Sequence, residues 1–150
     1  MAKEIERKFL VVNESYKLSA SRIDDLKQGY ISLQKESTVR IRIKNDSAFL
    51  TIKGMTMGMT RDEWEYAIPV DAAEEMLSKI ACGRIIDKTR YIVPYGNHTW
   101  EIDEFHGYHE GLVVAEIELK AEDESFPLPP FIGKEVTGDA AYYNSTLAGN

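Results

Sequence analysis

The chain has 150 residues, of which 43% are apolar and 29% charged, with a formal net charge of -7. These values fit one soluble domain spanning 1–150 with enough apolar surface for a core, and they exclude the broad basic face that duplex nucleic acid requires. Cys82 is the only cysteine, which excludes an internal disulfide and a thiolate zinc centre. A cytoplasmic protein without a membrane partner is expected, because the N-terminus is charged and no apolar stretch is long enough to span a bilayer.

Alternation of period two dominates, and it predicts strands near 3–12, 27–34, 37–44, 47–53, 62–70, 85–93, 98–105 and 112–120. In the first of them Glu4, Glu6 and Lys8 alternate with Ile5, Arg7 and Phe9, so the two carboxylates and the ammonium share a face. At a rise of roughly 3.3 Å per residue the two glutamates can reach one hard cation, with Lys8 beside it to hold an anion. A short helix is predicted over 21–26. Turns at Asn45-Asp46-Ser47 and Tyr95-Gly96-Asn97, with a looser Gly54–Gly58 connection, make the strands antiparallel neighbours. A helix is predicted over 72–81, with Asp71 and Glu74 as a capping-box-like pair, Gly83 past its end and an apolar face of Ala73, Met76, Leu77 and Ile80. After Pro127, Pro129 and Pro130, a last helix is predicted over 140–147.

For any single strand the plain reading puts charge in water and apolar residues in the core. Here, however, charge falls on the same parity in nearly every strand: Arg40/Arg42, Glu63/Glu65, Lys88/Arg90, Glu101/Asp103 and Glu116/Glu118 follow the N-terminal trio. A sheet with one uniformly charged face can close into a barrel, and about eight strands enclose a small ligand. The apolar outer parity, with Ile41, Ile52, Trp64, Trp100 and Ile117, then needs cover from helices or from a second copy, so a homodimer is one way to supply it. Cations and acids are also sorted by strand. Lys8, Arg40, Arg42, Lys53, Lys88 and Arg90 suit an oligophosphate, and the surplus carboxylates suit a divalent ion that shares phosphate oxygens with them.

With these residues in view the chain resembles the CYTH proteins, also called triphosphate tunnel metalloenzymes. The resemblance rests on the N-terminal Glu-x-Glu-x-Lys, followed in order by Gln28-Gly29-Tyr30, Arg40-Ile41-Arg42, Thr51-Ile52-Lys53, Glu63-Trp64-Glu65, Lys88-Thr89-Arg90, Glu101-Ile102-Asp103 and Glu116-Ile117-Glu118. It covers essentially the whole chain and implies a mainly β, α+β fold: a closed eight-stranded antiparallel barrel, open at both ends, with a few covering helices. It implies Mg²⁺ or Mn²⁺ held by Glu4, Glu6, Glu63, Asp103, Glu116 and Glu118, and phosphate held by Lys8, Arg40, Arg42, Lys53, Lys88, Arg90 and Lys134.

The expected reaction is metal-dependent hydrolysis of a linear triphosphate, first of all inorganic tripolyphosphate, with Lys8 stabilising charge and either a second metal ion or Glu65 activating water. Nucleoside and thiamine triphosphates remain as substrates. The alternatives are a class IV type adenylate cyclase and a non-catalytic phosphate or polyphosphate-binding module. His106 and His109 read as a polar turn, Cys82 as a buried small residue, and Tyr30 as facing either the tunnel mouth or the core. Lys44 and Lys120 share the charged parity but read as solvated strand ends.

Overall fold

A computed structural model describes residues 2–149; Met1 and Asn150, the two ends of the predicted domain, lie outside the described residues. The chain runs β1 (Ala2–Val11), α1 (Tyr16–Ser19), β2 (Arg22–Ser32), β3 (Ser37–Lys44), β4 (Ser47–Gly54), β5 (Thr60–Ile68), α2 (Val70–Lys79), β6 (Cys82–Tyr95), β7 (His98–Phe105), β8 (Val113–Glu118), β9 (Ile132–Glu135) and α3 (Asn144–Ala148). The sheet order is β5-β4-β3-β2-β6-β7-β8-β1-β9, and a further β5–β1 pairing closes eight strands into an antiparallel barrel. β1 is shared: β8 pairs with Glu6–Leu10 along one edge, while along the other β5 pairs with Ala2–Ile5 and β9 takes over at Phe9 and Val11.

The predicted strands all form, with ends shifted by a few residues, and three helix expectations are corrected. Of residues 21–26, Ser21 precedes β2 and the rest are its start, in which Asp24, Leu26, Gln28 and Tyr30 take the inward parity. The expected 140–147 helix divides into a 3-10 turn at Ala140–Tyr142, capped by the Asp139 carboxylate, and the short α3. α2 begins two residues early, after Pro69, so Asp71 lies in the first turn and no side chain caps the end. α1 and β9 carry no strong periodicity and are additions. Cys82 is exposed at the start of β6, not buried at a helix end.

The apolar outer face is covered largely by the chain itself. Ala73 and Leu77 of α2 lie on Ile41 and Ala48, and the cover is tight: a Cβ on Gly29 would stand 2.8 Å from both Leu77 Cδ2 and Ile85 Cδ1. Over β1, β6, β7 and β8, the segment after β8 and α1 supply Phe126, which meets Phe9 and Trp100, and Tyr16, which meets Tyr91 and Phe131, all edge to face at 5.2–6.3 Å between ring centroids. Burial of such rings is the main apolar contribution to stability, about 25 cal/mol per Å² removed from water. Arg7 locks this cover by a two-pronged pair to Glu135 at 2.8 and 2.6 Å and by lying 5.0 Å from the Phe126 ring centre. Among the described residues no helix is long and apolar enough to cross a membrane.

The tunnel is not open along its whole length. Tyr30, Ile86, Phe105 and Val114 form an apolar cluster with Leu147 and Ala148 of α3. The C-terminal segment is also held by Lys8 Nζ on the Tyr142 carbonyl at 2.9 Å, Lys88 Nζ on Asn144 Oδ1 at 2.9 Å and His109 Nε2 at 2.7 Å from the Leu147 carbonyl. Arg84 donates to the Gly149 carbonyl as well.

Candidate active site

Strand alternation turns the charged parity inward, around a cavity of about 340 Å³. Its cations include Lys8, Arg40, Arg42, Lys53 and Arg90 from the predicted set, and its acids are Glu4, Glu6, Glu63, Glu65, Glu101, Glu116 and Glu118. Register explains the groupings. Glu6 faces Glu118 and Lys8 faces Glu116 across β1 and β8, Lys53 faces Glu63 across β4 and β5, and Glu101 faces Glu116 across β7 and β8.

Lys53 bridges Glu4 of β1 and Glu63 of β5, at 2.7 and 3.5 Å. Burial would raise the Glu4 carboxyl, but hydrogen bonding with Glu63 and the Lys53 charge hold it well below the usual range. The same bond, reinforced by burial, pushes Glu63 up to about 7, so near neutrality the two glutamates share one proton. Burial, with the charges of Glu116 and Glu4, pushes Glu6 well above an ordinary carboxyl. Glu116, though buried, is drawn down to about 2 by Lys8, 3.3 Å away. Glu118 is raised by burial and by Glu4 and Glu101. Thr51 donates to Glu65 at 3.1 Å and orients it.

The wall carrying Glu4, Glu6 and Glu118 is therefore short of positive charge. One Glu4 oxygen is buried without a hydrogen-bond partner, and Glu6 and Glu118 both resist ionisation, Glu6 through burial with Glu116 and Glu4 and Glu118 through burial with Glu4 and Glu101. All donors on that wall are hard oxygens, which fit a divalent cation of the Mg²⁺ or Mn²⁺ kind. Among the described residues no three His, Cys, Asp or Glu side chains already stand in ligating geometry; shared protons and lysines hold the acids instead.

Three predicted residues stand outside the cavity wall. Asp103 is 3% exposed and its oxygens are taken: Arg90 donates to both, at 2.7 and 2.9 Å, and Lys88 lies 2.6 Å away. It neutralises cations where the sequence suggested a metal ligand. Lys88 is wholly buried beneath the cavity, and burial together with Arg90 and Arg42 pushes it down to about 7 in spite of Asp103. Lys134 is exposed on β9, and the cavity wall beside it is formed by Thr137 and Gly138. The resemblance placed Lys134 from a sequence position, whereas β9 pairs only with the second half of β1, beyond the closed barrel.

The sequence reading omitted two cations of the wall, Arg61 and Lys44. Arg61 alternates with Glu63 and Glu65 on β5, so the parity rule already reached it. Lys44 looks solvated in isolation, but it leans over the lumen toward Asp24 at 3.8 Å. Tyr30 satisfies both of its readings, since it is buried in the α3 cluster and also touches the cavity. The histidines have separate partners: His106 with Thr89 at 2.7 Å, His98 with Glu124 at 2.5 Å, and His109 with α3.

A closed antiparallel barrel that sets a ring of lysines and arginines against a ring of carboxylates is the architecture of a tunnel for polyanions. The chain belongs to the CYTH domain family, whose profile matches residues 2–144. It is 47% identical over 150 residues to an inorganic triphosphatase of Acetivibrio thermocellus, with all of this chain and 96% of that protein covered. It is 37% identical to an inorganic triphosphatase of Nitrosomonas europaea, over 97% of this chain and 96% of that protein. Among solved structures it is similar to the crystal structure of an inorganic triphosphatase, with a TM-score of 0.71, 32% identity and 98% of each chain covered.

Proposed function

We propose that the chain, acting as a single cytoplasmic domain, hydrolyses inorganic tripolyphosphate to pyrophosphate and phosphate with Mg²⁺ or Mn²⁺. The observation that carries this reading is the cavity's paired chemistry. Phosphate-type cations and surplus, mutually repelling carboxylates share one enclosed wall. The triphosphatase relatives, similar over nearly their full length, support the same reading.

Glu4, Glu6 and Glu118, with Glu63 and Glu116 beside them, would hold the divalent ion, which when bound supplies Lewis-acid charge to phosphoryl oxygens. The chain's own groups do the rest. Lys8, Arg40, Arg42, Lys53 and Arg90 bind the phosphate oxygens and fix the chain of phosphoryl groups in line. They are already positioned by register and by Asp103, so developing charge meets donors that need no reorganisation. Asp103 and Lys88 position Arg90 from beneath. Glu65, oriented by Thr51, accepts a proton from the attacking water, and Glu63, held at about 7, keeps the proton of the Glu4–Glu63 pair near neutrality.

The test is incubation of the protein with tripolyphosphate, ATP and thiamine triphosphate in turn, with each metal, and resolution of every product. Metal-dependent release of phosphate from tripolyphosphate at the highest kcat/KM is expected. Cyclic AMP from ATP would overturn the hydrolase reading in favour of a cyclase, and tight binding without turnover would make the barrel a phosphate-binding module.

A further inference from the structure

The lumen cations differ in how many of their donors are already engaged. Lys8 is on Glu116 and the Tyr142 carbonyl, Lys53 on Glu4 and Glu63, Arg90 on Asp103 and Glu101, and Arg42 Nε on Gln28 at 2.8 Å. Arg61 differs. It lines the cavity from β5 and, like Arg40, has a buried Nε without a hydrogen-bond partner, but where Arg40 Nη2 reaches Thr51 at 3.4 Å, Arg61 forms neither an ion pair nor a side-chain hydrogen bond among the described residues. The acid that register sets opposite it, Glu4, is turned away to Lys53 at 2.7 Å. A buried N–H with no acceptor is destabilising, more so on a charged group, and a guanidinium fork matches phosphate oxygens two at a time. The donors are therefore held ready for an acceptor that the chain itself does not provide.

We propose that Arg61 is a substrate-binding residue of the lumen whose fork takes phosphate oxygens of the linear oligophosphate. The inference rests on the triphosphatase reading and extends its ligand set to β5, on the wall between Lys53 and the Thr56–Met59 connection. It gives Arg61 a signature that a structural arginine lacks. Without ligand, its removal relieves an unsatisfied donor, and only with ligand does its absence matter.

The experiment compares the wild type with Arg61→Met and Arg61→Lys, by thermal unfolding in chelator with and without tripolyphosphate, and by steady-state hydrolysis with Mg²⁺. Arg61→Met should keep or raise the ligand-free Tm and lose most of the rise in Tm that tripolyphosphate gives the wild type. Its KM should increase about tenfold or more, with kcat changed less, and Arg61→Lys should recover part of the affinity. A lower ligand-free Tm in Arg61→Met with an unchanged ligand shift and KM would overturn the assignment, as would wild-type KM in Arg61→Lys together with a misfolded Arg61→Met. Absence of turnover and of any Tm shift in the wild type itself would overturn the triphosphatase reading, and this inference with it.

Discussion

Replacing Asp103 with Asn keeps the shape of the side chain and removes a buried negative charge that compensates two buried cations. Lys88 is 0% and Arg90 8% exposed, and Asp103 meets them at 2.6–2.9 Å through three contacts. Breaking a buried pair by removing one partner costs about 3–5 kcal/mol, because the other charge stays in low dielectric. Arg90 stays charged, whereas Lys88, already held at about 7 and lower still without Asp103, sheds its proton, so the lower half of that range applies. For 150 residues, an unfolding entropy of about 2.1 cal/mol/K per residue converts it to a Tm lower by about 10–13 °C at pH 7. The pH dependence has a definite sign. Burial would raise Asp103, yet Arg90 and Lys88 hold it far below its ordinary value, so its contribution is complete above about pH 4 and fades as the pH falls further. Calorimetry of both proteins at pH 7 and pH 3 should therefore show the gap narrowing in acid. Asp103→Asn combined with Lys88→Met should be more stable than Asp103→Asn alone, since the orphaned Lys88 amine is gone. A fall in Tm of less than about 3 °C at pH 7, or a double variant no better than the single one, would refute the view that this carboxylate is the electrostatic keystone of the lumen floor.

Glu6→Gln should raise the metal concentration for half-maximal hydrolysis at least about tenfold while leaving activity measurable at saturating metal; unchanged metal dependence would remove Glu6 from the ligand set. Because Glu63 is held at about 7 by its bond to Glu4, divalent-ion affinity should rise as pH passes upward through about 7, and calorimetric titration of Glu63→Gln should show that step flattened. Gly29→Ala forces a Cβ to 2.8 Å from Leu77 and Ile85, so α2 must shift, and denaturant unfolding should show a loss of about 1–3 kcal/mol.

The barrel and its charged interior were legible because the strand period of two carries both signals at once: a residue's parity says which neighbour it pairs with and which side it faces. Glu4 to Lys8, Arg40 to Lys44 and Glu101 to Asp103 all turn inward as that rule requires. The rule weakens where polar residues occupy both parities. Asp24-Asp25 interrupts the pattern at the start of β2, and a short amphipathic helix looked equally good there. Parity also says nothing about depth. Asp103 and Glu101 have the same face and charge, yet one is saturated beneath the floor by Lys88 and Arg90 and the other borders the cavity. Lys134 illustrates the converse, a side chain with suitable chemistry on a strand outside the closed ring.

The placement of β1 has a consequence for how the molecule is made. Strand β1 carries Glu4, Glu6 and Lys8, and two of its neighbours are made much later than it is: Glu6 meets Glu118 of β8, and Phe9 meets Glu135 of β9. Loops that long close slowly, and the barrel cannot shut while β8 and β9 are still in the exit tunnel. Until then only Ala2–Ile5 of β1 can find a partner, in β5, and its second half stays a ribbon with an apolar face, in a chain whose strands β2 to β5 can already zip into a meander. Translation speed and chaperone access while β8 and β9 are made thus bear directly on yield, and a chain stopped before residue 113 lacks the carboxylates that face Glu6 and Lys8.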